Sequence, residues 1–339
     1  MVKLIVLDIG YGDTKYATIV NGGGKVSLRR QLFPSAVAAV GPNGFSSGPK
    51  PKAGQSLTFG GQKYAIGDYA SGLSAEFATL ARDRAWSEEA LVLALSGLVR
   101  AVPGGGQVNL TVSLPVSWMS DASRVKSLLR GDHEVKVGRA ISLYQVKRVD
   151  IMPQGFGVYM AATHALDEKG APYLSAPDIH HGGAIVIDVG RHTSNFVFVH
   201  ANSRYDNSLS DSAELGTDIV LRAIQVEASK KHRMTISMSV ADRATREGYL
   251  SVGSKKVPIK TLVGPAYQDL ASRIVSVSQG LVGSRKLGFG CVIIGGGGSK
   301  VKPLVAAIKK GFGHNRFIID RQGQFGNVTG QLIWALGVK

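Results

Sequence analysis

Two stretches of the chain carry the same order of apolar and polar positions. Leu4-Ile5-Val6-Leu7 is an unbroken apolar run closed by Asp8; Ile9-Gly10-Tyr11-Gly12-Asp13-Thr14-Lys15 follows, and then the apolar-rich Tyr16 to Val20. Ile185-Val186-Ile187 is closed by Asp188; Val189-Gly190-Arg191-His192-Thr193-Ser194-Asn195 follows, and then Phe196 to Val199. Aliphatic runs without alternation suit strands buried on both faces, and Asp-x-Gly is turn chemistry. Each copy predicts strand, tight turn, strand. The duplication predicts two similar α/β domains facing each other across a cleft.

The remaining pattern fills in around these hairpins. Leu91, Leu95, Leu98 and Val99 behind Trp86 have helical spacing over residues 86–101, stopped by Pro103 and Gly104-Gly105-Gly106. Leu270, Ile274, Val277 and Leu281 predict an amphipathic helix over 265–282. Residues 122–130 read as helix, 57–67 as a short hairpin, 108–114 and 317–319 as strands, and 135–151 as two strands or a hairpin. Gly22-Gly23-Gly24 reads as a flexible tip and residues 41–60 as a long surface loop. The expected domains are 1–163 with 325–339, carrying an insertion at about 30–85, and 164–324, carrying a polar, basic insertion at about 225–262.

Several of these positions point to chemistry. Backbone amides around Gly190 and His192 would line a concavity suited to phosphate oxygens. The Asp188 carboxylate would face the same space and could meet a phosphate only through a divalent cation. Gln154 lies where a strand gives way to a helix; it reads either as a polar residue satisfying amides at the helix start or as an amide orienting a water. Gly216 leads into a helix whose N-terminus could receive ribose or phosphate. Phe289 to Ile294 is a strand that runs into Gly295-Gly296-Gly297-Gly298 before a helix from about Val301. Four glycines let a backbone approach a ligand closely. Other motifs fail. Val26 follows Lys25 where a Walker A loop needs Ser or Thr, Lys15 occupies the third glycine of a dinucleotide fingerprint, and no Gly-x-Ser-x-Gly elbow is present. The adjacent His180-His181 reads as a loop.

Composition narrows the class. The chain has 339 residues, 44% hydrophobic and 19% charged, enough for two cores. No apolar run approaches the ~20 residues of a membrane span, and Asp8 cuts the first apolar run too short for a signal peptide. The single cysteine, Cys291, excludes a disulfide framework or a cysteine zinc site. A cytoplasmic location is the expectation. The net charge of +16 includes the doublets Arg29-Arg30, Lys230-Lys231, Lys255-Lys256 and Lys309-Lys310. It reads either as a solvated basic surface or as a surface for a polyanion: DNA, an acidic partner or anionic lipid.

The two Asp-x-Gly hairpins, Pro153-Gln154-Gly155-Phe156-Gly157 between them, the four-glycine turn and the final Asn327-Val328-Thr329-Gly330 helix together resemble the actin superfamily ATPases. The resemblance is strongest to ParM-type plasmid-segregating actins and archaeal actin-like ATPases. It implies two related ribonuclease H-like domains around a nucleotide cleft. It implies that Asp8 and Asp188 hold Mg²⁺ largely through water. Gly10, Tyr11, Gly12, Asp13, Thr14 and Lys15 would form one phosphate loop, and Gly190, Arg191, His192 and Thr193 the other. Gly216 and Gly295 to Gly298 would border ribose and base. Gln154, with Asp188 and Asn195, would carry hydrolysis. The nucleotide would be ATP, with GTP as the alternative. Two positions depart from the pattern: Arg191 adds positive charge to the second loop, and Asn195 stands where an acid or imidazole is common, although an amide cannot act as a base. The implied function is ATP-dependent filament assembly in DNA segregation, with self as partner, a DNA-bound adaptor as cargo link, and direct contact with DNA or anionic membrane allowed by the charge. The rivals are a small-molecule kinase of the same superfamily, using Asp13 or Asp218 as base, and a basic DNA-associated scaffold.

Overall fold

The computed structural model describes residues 2–22, 25–41, 51, 54–71, 82–283, 288–313 and 316–337. Gly23 and Gly24 of the expected tip, and most of the expected 41–60 loop, lie outside the described residues. The chain forms two units, Met1–Pro177 with Phe325–Lys339 and Asp178–Gln324.

In the first unit, strands β1 (Lys3–Ile9), β2 (Asp13–Gly22), β3 (Lys25–Pro34), β4 (Val37–Val40), β5 (Ser56–Phe59), β6 (Gln62–Ile66), β7 (Gly106–Leu114), β8 (Gly131–Val137) and β9 (Ala140–Pro153) form one sheet. Their order is β3-β2-β1-β7-β9-β8-β5-β6-β4. Among the described residues up to 177, this unit also has helices α1 (Asp68–Ser71), α2 (Glu88–Ala101), α3 (Ala122–Leu129) and α4 (Phe156–Thr163), short helical turns at Arg82–Trp86 and Val116–Asp121, and a small hairpin, β10 (His164–Leu166) with β11 (Pro172–Leu174). The second unit opens in α5 (Pro177–Gly182). It continues through β12 (Ala184–Val189), β13 (Ser194–His200), β14 (Arg204–Ala213), α6 (Asp218–His232), α7 (Met238–Glu247), β15 (Tyr249–Val252), β16 (Lys255–Pro258), α8 (Lys260–Gly283), β17 (Cys291–Gly295), α9 (Lys302–Phe312) and β18 (Phe317–Ile319). Helix α10 (Gly326–Ala335) returns to the first unit.

The apolar run of β1 is unbroken because both its faces are covered. Ile5 and Leu7 join the core built with Leu91, Leu95 and Leu98 of α2, while Val6 packs with Val328 and Leu332 of α10. Helix α2 starts where Ser87 accepts from the Ala90 amide (3.2 Å), with Glu88 and Glu89 favourably placed in its first turn. On the other face, α4 and α10 cross backbone against backbone. A Cβ on Gly330 would lie 1.7 Å from the Gly157 carbonyl oxygen.

The duplication extends well beyond the two hairpins. Strands β3-β2-β1-β7-β9 are joined antiparallel, antiparallel, parallel, parallel. The five-stranded sheet of the second unit, β14-β13-β12-β17-β18, repeats that series. Within each hairpin the register matches too, Asp8 opposite Lys15 and Asp188 opposite Asn195.

Some boundaries differ from the sequence reading. Strand β3 pairs with β2 as far as Pro34, so the extra strands of the first unit begin at β4 and not at residue 30. The β10–β11 hairpin belongs to the first unit because the Ser175 and Ala176 amides fold back onto the Thr163 carbonyl (2.8 and 3.0 Å). The stretch 225–262 is polar outside, yet it sends Ile236, Ala241, Ala244, Leu250 and Ile259 into the core of the second unit. His180 and His181 sit in α5 and not in a loop, with Pro177 well suited to a first helical turn. His180 Nδ1 pairs with Ser203 Oγ at 2.9 Å.

A pH-dependent clasp joins β13 to β14. His200 Nε2 meets Asp206 Oδ2 at 2.7 Å, and this bond, with those from Ser208, lowers the Asp206 carboxyl to about 2 from 3.8. A carboxyl depressed in the folded state stabilises it above the ordinary value, and that stability is lost as pH falls through the folded one. Urea unfolding between pH 4 and pH 2 is expected to show a falling midpoint, with a shallower fall in Asp206→Asn.

Candidate functional site

Strands β1, β7 and β9 run parallel, and the polar groups of the first unit collect at their carboxyl ends, where open α/β sheets place ligands. Asp8 is 4% exposed. Its Oδ1 accepts from Ser113 Oγ and from Gln154 Nε2, both at 2.8 Å, and its Oδ2 accepts from Lys15 Nζ at 3.2 Å. The Gln154 amide nitrogen thus goes to Asp8, while the Gly155 amide at the start of α4 is taken by Asn327 Oδ1 at 2.8 Å.

The turn after β1 is braced from several sides. The Gly10 amide donates to Asp13 O (3.1 Å), and Lys15 Nζ donates to the same carbonyl (3.3 Å). The Gly12 carbonyl accepts from the Ser35 amide (2.9 Å), and Ser35 Oγ pairs with Thr14 Oγ1 at 2.8 Å. The Tyr11 ring packs edge-on against Trp118, centroids 6.1 Å apart. Ser35 and Ser113 escape sequence reasoning. Each is an ordinary polar residue that meets its partner only through the fold.

The second unit repeats the turn with different side chains. Asp188 ends β12, also 4% exposed, and Gly190 N donates to Thr193 O (2.9 Å) as Gly10 N does to Asp13 O. Asn195 Nδ2 donates to Asp188 Oδ2 (3.3 Å), seven residues on, as Lys15 does to Asp8. Asn195 Oδ1 also accepts from Ser212 Oγ (2.8 Å), so both ends of the amide are engaged in holding this corner.

The start of α6 folds onto the same turn. Thr217 N donates to Gly190 O (3.1 Å) and Asp218 N to Arg191 O (2.8 Å), so these two amides serve the turn itself. A Cβ on Gly216 would lie 2.1 Å from Arg191 O, which makes it a packing glycine. His192 Nδ1 pairs with Asp218 Oδ2 at 2.9 Å, and Arg222 reaches the same oxygen at 3.3 Å. The Arg191 guanidinium lies 4.0 Å from Asp242 Oδ2.

The four glycines divide by role. Gly295 pairs with Asp188 across β12 and β17. Gly296, at φ +72°, lies where a Cβ would stand 2.5 Å from Asp188 Oδ1, and a Cβ on Gly298 would stand 2.5 Å from Val189 Cγ1. Gly297 alone of the last three faces open space. The run thus lets β17 close over the Asp188 carboxylate. Among the described residues, no group of three or more His, Cys, Asp or Glu is placed to hold a metal ion.

Residues 7–157 match the family model of the N-terminal domain of actin-like proteins, and residues 186–305 match that of the C-terminal part of archaeal, MreB-like actin homologues. The chain belongs to the actin superfamily. Each matched region of this actin-like protein contains one of the two Asp-x-Gly turns. Solved structures share its fold along nearly the whole length. The archaeal actin homologue Ta0583 is 23% identical, with 98% of this chain and 99% of that one covered and a TM-score of 0.79. The 15-stranded ParM filament from Clostridium botulinum is 18% identical, with 98% of each chain covered and a TM-score of 0.71. Bacillus thuringiensis ParM with ATP is 14% identical, with 98% and 97% covered and a TM-score of 0.69. Among curated proteins, comparison by sequence finds no match.

Proposed function

We propose that this actin-like protein binds a magnesium–ATP complex, hydrolyses it, and assembles into filaments in a nucleotide-dependent way. The repeated turn carries this reading. Each unit ends its central strand in a buried carboxylate beside a glycine turn, Asp8 with Gly10 and Asp188 with Gly190. The filament and ATP of the ParM relatives, at 18% and 14% identity, support the reading by analogy of fold.

The donor set suits magnesium. Mg²⁺ is commonly held by one or two carboxylates, with phosphates and water supplying the remaining ligands, and the described residues offer no denser cluster. Asp188, opposite a neutral amide, is the stronger candidate; Asp8 already faces Lys15 and would act through water. Bound magnesium would neutralise phosphate charge. The chain's own groups do the rest. Amides of the Gly10–Thr14 and Gly190–Thr193 turns would hold phosphate oxygens, and Lys15 would exchange its carboxylate for a phosphate. Gln154, whose amide nitrogen donates to Asp8, would help orient the attacking water. Asn195 would position Asp188. Gly297 offers the open backbone for ribose or base, and GTP is the alternative nucleotide.

In the kinase reading Asp218 is tied to His192 and Arg222, which leaves Asp13 as the other candidate base. The proposed cellular role is DNA segregation through a DNA-bound or otherwise acidic adaptor. Gln154→Ala is expected to lower ATP turnover about tenfold or more while ATP still binds. Phosphate release beside an equilibrium binding assay checks this; unchanged turnover contradicts the assigned role.

A further inference from the structure

One buried charge is left over once the two turns are described. Arg84 is 5% exposed. It lies in a short helical turn, Arg82–Trp86, fastened on both sides: Arg82 Nε donates to Asp121 Oδ2 (2.5 Å), and the Arg124 guanidinium stacks on Trp86 (5.1 Å). From this strap the Arg84 side chain reaches the first glycine turn. Its Nη2 donates to the Gly10 carbonyl (2.9 Å), and the guanidinium lies over the Tyr11 ring, 4.6 Å from the centroid.

What this guanidinium lacks is a carboxylate in contact with it. Among the described residues no carboxylate forms an ion pair with it, and its buried Nε has no hydrogen-bond partner. Burial pulls its pKa below the ordinary arginine value, and the Tyr11 hydroxyl and the Glu89 carboxylate offset only part of that. Buried charges are normally paired, because desolvation is costly, and a ring face offsets only part of that cost. An arginine kept in this position without a carboxylate suits an anion that arrives from outside.

We propose that Arg84 is a positioning residue for the polyphosphate of the bound nucleotide: it braces the Gly10–Gly12 turn from behind, and the ligand's phosphate charge supplies its missing counter-charge. This inference rests on the nucleotide reading above and adds to it a source of selectivity for phosphate number. The Arg84 guanidinium touches a backbone carbonyl and an aromatic ring, and the Glu89 carboxylate acts on it without forming an ion pair, so most of its charge stays available to a bound anion.

The test measures ATP, ADP and AMP affinities for wild type, Arg84→Gln and Arg84→Lys, with the melting temperature of each ligand-free protein as a control on folding. Wild type is expected to prefer ATP over AMP. Arg84→Gln is expected to shrink that ratio about tenfold through weaker ATP binding with AMP little changed; a residue that only held the turn in shape would weaken all three alike. Arg84→Lys, which keeps the charge, is expected to retain most of the ratio, and it carries the test if the glutamine variant does not fold. An Arg84→Gln ratio equal to wild type, or a folded Arg84→Lys that loses the ratio, overturns the inference while leaving nucleotide binding intact. A wild-type chain that binds none of the three overturns both readings.

Discussion

Asp188→Ala is expected to reduce ATP hydrolysis by this actin-like protein on the order of a thousandfold, the scale associated with losing preorganised charge stabilisation of a phosphoryl transition state. The expectation follows from where the carboxylate sits. It is buried near the end of the central strand, and a Cβ at position 296 would stand 2.5 Å from its Oδ1, so glycine there is what lets the turn after β17 pass the carboxylate without a clash. It accepts from the neutral amide of Asn195. Losing that bond should cost folding about 1–3 kcal/mol. Asp8→Ala is the less informative variant. It would leave Lys15, Ser113 and Gln154 without their shared acceptor and confound catalysis with stability. Steady-state phosphate release, read beside the melting temperature, separates the two. A folded Asp188→Ala protein with wild-type turnover would contradict the assignment of Asp188.

Gly330→Val is expected to be the most damaging single change away from the site, costing about 4 kcal/mol or more and lowering the melting temperature by about 10 °C, or preventing folding. A Cβ at this position would stand 1.7 Å from the Gly157 carbonyl and 2.6 Å from its carbon, so backbone has to move. Separating α10 from α4 would also break the Asn327 bond to the Gly155 amide and uncover Val6 on β1 and Ala17 on β2. Urea unfolding of Gly330→Val against wild type checks this. A midpoint within error of wild type would mean that the helices do not cross backbone to backbone.

The parts of the fold that could be read from sequence are those whose cause is local. A β-branched run, an acid at its end and a glycine turn sit within a dozen or so residues, and so both hairpins, and the strand into Gly295, were visible. So was the helical face of Leu91, Leu95 and Leu98. What could not be read depends on distant partners. Ser113 meets Asp8 across 105 positions and Arg84 meets Gly10 across 74, and nothing in their neighbourhoods marks them. The glycines show a third case. Gly216 and Gly296 stand out in the sequence as possible ligand neighbours, but the structure gives them a packing reason, against Arg191 O and Asp188 Oδ1. Asn195, placed by the resemblance among the residues of hydrolysis, has both ends of its amide engaged, with Asp188 and Ser212.

The account as a whole depends on a nucleotide controlling self-assembly. Sedimentation of the purified protein in parallel with magnesium–ATP, with magnesium alone, and with ATP plus a chelator tests this most directly, with electron microscopy of the pellets. The account predicts filaments in the pellet with magnesium–ATP and a soluble protein in the other two. A protein that stays in the supernatant under all three conditions at high concentration, or that pellets equally in all three, would contradict it.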